Sequence, residues 1–154
     1  MKISDYLGRI AEGLERVTRE AKGKKIETLV PELKDPETRK ALAEVIIAQF
    51  ERWKLHEVNQ AMLLGLSEVT ELRQGKPLPD DQAVLEHVGH LLAIDRALLK
   101  LYPYQPERRA RWISSPQPRL GGRTPLEAML GGGIQGIKEV RAAVESAAEA
   151  PRLG

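Results

Sequence analysis

Cysteine is absent from the 154-residue chain, which excludes disulfides, thiolate metal sites and a cysteine nucleophile, and fits a reducing compartment. Aromatic side chains are scarce: two Trp, three Tyr and one Phe. A core must therefore be built from Leu, Ile, Val and Ala, a set that favours helices. No apolar run approaches the ~20 residues of a membrane span, and the opening MKISDYLGRIAEG lacks the apolar stretch of a secretory signal. The expected location is the cytoplasm, with no membrane partner. Neither sign of charge dominates, since 24 Lys and Arg against 22 Asp and Glu leave a net +2, so any basic surface must be local. No segment reads as a β-strand or as an internal repeat.

What is present is helical periodicity, punctuated by proline, glycine and capping residues. Ile3, Leu7, Ile10, Leu14, Val17 and Ala21 alternate spacings of four and three, one narrow seam that suits either a dimerisation helix or a helix lying on its own protomer. Lys22-Gly23-Lys24-Lys25 ends it. Asp35-Pro36 caps a second helix whose wide apolar face is Leu42, Val45, Ile46, Phe50 and Trp53. A short helix over 55–64, a turn at Gly65-Leu66 and a second short helix capped by Ser67 and ending near Gly75 form a helix-turn-helix pattern. Asp80 or Asp81 then caps the longest helix, which reaches Leu101 with a broad apolar stripe, so both halves of the chain are expected to pack on it.

The most particular stretch is 108–133, RRARWISSPQPRLGGRTPLEAMLGGG. A helix ending near Trp112 leads into an ordered loop, and Thr124-Pro125 supplies an N-cap followed by proline at the first helical position. Beyond it, Ile134, Ile137, Val140 and Val144 form one face of a terminal helix. The succession Trp112, Pro116, Pro118, Leu120, Gly121, Gly122, Arg123, Thr124, Pro125, Leu126, Met129, Leu130 and Gly132 resembles the C-terminal toxin-binding domain of the Xre/MbcA/ParS antitoxins. Looser similarity extends over most of 40–150.

Other patterns carry less. Gly131, Gly133 and Gly136 match G-x-G-x-x-G letter for letter, but a helix precedes them instead of a strand, so they read as a helix-to-helix turn. His87 and His90 share a helix face without a third ligand, and Asp95 reads as a carboxylate paired with an arginine. Arg108, Arg109, Arg111, Arg119 and Arg123 make a local positive field. No nucleophile, base and orienter stand together, so no enzyme and no cofactor are expected.

The resemblance implies an all-α protein: an N-terminal helical extension over 1–34, an Xre-like helix-turn-helix region with a long central helix over 35–104, and a small toxin-binding domain over 105–154. It implies an antitoxin of a type II toxin–antitoxin pair that occludes a RES-type, NAD-consuming toxin, forms a homodimer and a complex with that toxin, and autorepresses its operon at operator DNA. Toxin contacts are expected at Arg119, Arg123, Met129, Arg141, Glu145 and Arg152, with the last residues, 150–154, reaching into the toxin's cleft. Trp112, Pro116, Leu120, Gly121, Gly122, Thr124, Pro125 and Leu126 would maintain the domain's architecture. DNA contacts fall on Ser67, Thr70, Arg73, Gln74 and Lys76, although Glu68 and Glu71 set negative charge where phosphates would lie, and the segment is about two residues shorter than in the family. The alternative is a DNA-binding transcriptional regulator without a toxin.

Overall fold

Proline and side-chain caps set the ends of the main helices. The computed structural model describes residues 3–20 and 23–150, apart from the side chains of Ile3 and Ser4; the seam position Ala21 and the expected toxin contact Arg152 lie outside the described residues. Eight α-helices and two 3-10 turns are found among them, with no strand. The first are α1 (Ile3–Glu20), the single-turn α2 (Ile26–Leu29) and α3 (Pro36–Arg52). Asp35 Oδ1 accepts from the Glu37 amide at 3.0 Å to start α3. Helices α4 (Glu57–Leu64) and α5 (Thr70–Arg73) follow. The expected cap at Ser67 is not formed: α5 begins three residues later, after Val69, with no side-chain cap and a single turn in length.

Asp81 opens α6 (Gln82–Leu101), its Oδ1 accepting from the Val84 amide at 3.0 Å. This is the central helix. Val84, Leu85, Val88, Leu91, Ile94 and Leu98 are buried along it, and α1, α2, α3, α4 and α8 all pack on it. The seam of α1 turns towards its own chain, with Leu14 fully buried and Ile10 nearly so. Each such burial is worth roughly 1.5–3 kcal/mol. Helix α1 lies close over Gly89, where an added methyl would stand 2.4 Å from Thr18 Cγ2 and 3.0 Å from the Leu14 carbonyl.

Helix α7 (Pro106–Trp112) and a 3-10 turn (Pro118–Leu120) lead to α8 (Pro125–Glu149). A reciprocal capping box opens α8: Thr124 Oγ1 accepts from the Glu127 amide at 3.0 Å, and the Glu127 carboxylate from the Thr124 amide at 3.2 Å. Gly133, at φ 58° and ψ −140°, then breaks the helical path. The two halves meet backbone to backbone, for a Cβ on Gly136 would fall 2.0 Å from the Ala128 carbonyl oxygen. The triple glycine is thus a corner between helices. One cluster of buried residues runs unbroken from Ile10 to Val144.

Candidate toxin-binding surface

The C-terminal loop is built around its own small core. Trp112 (7% exposed), Leu120 and Met129 (1% each) are buried there, as is Pro125, while Leu126 is half-buried. The Leu126 amide donates to the Ile113 carbonyl at 3.0 Å, tying the start of α8 to the end of α7. Within the loop the Gln117 amide donates to the Arg123 carbonyl and the Gly122 amide to that of Gln117, both at 3.0 Å. Gly121 and Gly122 take positive φ, and both are exposed, as is Pro116. Met129 was expected at the partner surface; in the folded chain it fills this core instead.

Two exposed arginines fasten the loop to the outer side of α8. Arg119 Nη1 donates to Ser146 Oγ at 2.6 Å, and Arg123 Nη2 to Glu139 at 2.8 Å, while Arg123 Nε reaches the Leu120 carbonyl at 2.9 Å. Gln135, Glu139, Ala142, Ser146 and Glu149 are exposed at spacings of four and three, which places them along one outward stripe. Arg119 and Arg123 therefore border a continuous, solvent-facing surface.

Arg141 lies on the opposite side, 4% exposed. Its Nη1 donates to Thr18 Oγ1 at 3.0 Å and to His90 Nδ1 at 2.9 Å, its Nη2 to the Glu15 carbonyl at 2.9 Å, and its Nε to Glu145 at 3.3 Å. Glu145 also pairs with Arg19. The side chain expected to meet a partner is spent joining α8 to α1 and α6. Glu145 keeps a quarter of its side chain exposed. Beside them Arg96 bridges Glu12 at 3.1 Å and Glu15 at 2.9 Å.

The electrostatics of this cluster follow from its burial. Desolvation, and then the charge of Arg141, push the His90 pKa down to about 4. Glu15 is raised above the usual carboxylate value, desolvation outweighing the attraction of Arg96. Glu15, Thr18 and His90 were not anticipated as partners of Arg141, because nothing in the spacing of α1 indicates which distant helix its polar positions will meet.

The helix-turn-helix residues do not assemble a basic face. Ser67, Thr70, Gln74 and Lys76 are exposed, as are Glu68 and Glu71. Arg73 is held by Glu51 and, at 3.2 Å, by Glu57. Of the remaining arginines, Arg108 stacks 4.5 Å over the Tyr102 ring and Arg109 donates to the Tyr102 carbonyl at 2.6 Å. Asp95 accepts from Arg52 at 3.0 Å and from Trp53 Nε1 at 3.2 Å, the arginine pairing expected of it. Among the described residues no three His, Asp or Glu side chains gather as metal ligands, and no helix is long and apolar enough to cross a membrane.

Comparison with known proteins places these features. The family described as the antitoxin Xre/MbcA/ParS C-terminal toxin-binding domain matches residues 97–148, from the second half of α6 nearly to the end of α8. An uncharacterized protein, y4oB of Sinorhizobium fredii (strain NBRC 101917 / NGR234), is 33% identical over 95 residues, which cover 59% of this chain and 71% of that protein. No solved structure matches significantly.

Proposed function

Since the chain belongs to the Xre/MbcA/ParS antitoxin family through its C-terminal toxin-binding domain, we propose that it neutralises its toxin by occlusion, using the outer stripe of α8. It acts by binding and performs no catalysis of its own. The observation that carries this reading is the exposure of Arg119 and Arg123 beside that stripe, fastened at Ser146 and Glu139. Anchored arginines at the edge of an accessible helix are preorganised for carboxylates on a partner, since little side-chain entropy remains to be lost on binding. The partner proposed, from the resemblance, is a RES-type toxin that consumes NAD, and residues 150–154, with Arg152, are proposed to reach into its cleft.

The experiment is neutralisation of the co-expressed toxin, together with affinity of the purified pair. Reversing both charges, Arg119→Glu with Arg123→Glu, is expected to weaken the complex at least about tenfold, some 1.4 kcal/mol. Removing residues 150–154 should abolish protection with a smaller loss of affinity. Full protection by both variants refutes occlusion by this surface. Autorepression at operator DNA would have to proceed without a free Arg73, which is already paired with Glu51 and Glu57.

A further inference from the structure

A cavity of about 620 Å³ opens between the end of α1, the link that follows it, the first half of α6 and α8. Among its charged lining residues cations outnumber anions, with Arg19, Lys24, Lys25, Lys138 and Arg141 against Glu86 and Glu145. Lys24 and Lys25 enter from the link and form no ion pair among the described residues, while Lys138 enters from α8 and meets Glu86 only at 3.8 Å. Glu145 also lines the cavity, but its charge is committed to Arg19 and Arg141. The volume falls within the roughly 300–1,000 Å³ of small-ligand sites.

The buried side of this cavity holds an unused donor. Arg141 can only donate, so His90 Nδ1 must accept from it. The ring is neutral, its pKa being near 4, and its single N–H therefore sits on Nε2. His90 is 3% exposed, and Nε2 has no hydrogen-bond partner among the described residues. A buried donor left unpaired costs roughly 1–3 kcal/mol. The complement to such a donor in a cavity that three lysines also line is a negatively charged group made of acceptors alone.

We propose that this cavity is a binding site for a small oxyanion ligand of the phosphate type, neutralised by Lys24, Lys25 and Lys138 and accepting a hydrogen bond from His90 Nε2. Because Nε2 is covered from solvent, the contact requires a side-chain shift in the wall, and the long Lys138–Glu86 pair is weakly held and can give way. The cleft is recessed between three helices and of small-ligand size, which suits a free anion of low mass better than the backbone of duplex nucleic acid. Bound there, the ligand would tie the end of α1 to α8; of the outer stripe of α8 it reaches only Ala142, and Glu139 and Ser146 with their arginines stay clear of it.

The test uses the full chain and NMR of the His90 ring, titrated with inorganic phosphate and with pyrophosphate at constant ionic strength against chloride. A short DNA duplex is titrated in a separate arm. A saturable shift of the ring signals is expected with pyrophosphate, weakened at least tenfold in the surface variant Lys24→Ala/Lys25→Ala/Lys138→Ala. No saturable shift at matched ionic strength overturns the proposal, as does equal binding by the triple variant or a response to the duplex alone. Toxin neutralisation is a separate readout, so either reading can fail without the other.

Discussion

His90 is held neutral inside the protein, and its chemistry fixes the sign of a pH effect. An unfolded chain protonates this residue near its ordinary value of about 6.5, whereas the folded protein resists protonation down to about 4. Between those values the unfolded state binds the extra proton, so stability falls as the pH drops, by about 2 kcal/mol between pH 7 and pH 5. Glu15 works in the opposite sense, because its raised pKa favours the folded state as the pH descends towards the carboxylate range. Urea denaturation of the wild type and of His90→Gln at both pH values checks this. The wild type should lose more stability, and equal losses would contradict the assignment. The inward position of Arg141 was itself open to inference. It stands four residues after Ile137 and three before Val144, on the apolar face of its helix; its charge argued for the surface, and only the three acceptors brought by α1 and α6 reconcile the two.

Among the elements, those whose ends are governed by local chemistry were legible. Asp35-Pro36, Asp81 and Thr124-Pro125 each hold their amide donors within three residues, so four or five letters contain the whole interaction. Helix α5 was not legible in this way, because a single turn has too few internal bonds to fix its own start, and the burial of Val69 and Leu72 decides it. The outer stripe of α8 follows from the same periodicity that predicts its inner face. The fastening of Arg119 and Arg123 does not, since their partners lie 27 and 16 residues away. The glycine corner separates two physical causes. Gly136→Ala drives a methyl into the Ala128 carbonyl and is expected to cost more than about 3 kcal/mol, as overpacking against unyielding backbone does. Gly133→Ala meets no atom within 4 Å and should cost only the conformational strain of its φ and ψ, about 1–3 kcal/mol. Urea midpoints of the two variants, compared with wild type, test that order.

Taken as a whole, the molecule is organised by α6, and its helices, with the long central one among them, were legible in the periodicity, while the resemblance supplied their grouping into an all-α architecture. What could not be inferred was the choice between two uses of the α1 seam, because three heptads describe a face without naming its partner. The close crossing at Gly89 offers a way to test the use found here. Gly89→Ala places a methyl against Thr18 and the Leu14 carbonyl, and α1 should lift while α6 and α8 hold together through their own interface. Hydrogen exchange is expected to rise steeply across residues 5–20 and to stay low in α6 and α8. Uniform loss of protection would show instead that α1 is indispensable to the core.

The clamp of Arg141 on α1 also has a consequence for the order in which the protein is made. The Glu15 carbonyl and the Thr18 hydroxyl precede their arginine by 126 and 123 residues. On a ribosome adding about 5–20 residues each second, the first helix emerges many seconds before the side chain that secures it. Helix α1 is thus synthesised well before the side chain that clamps it, and closure of that clamp reports that α8 has been translated as far as Arg141.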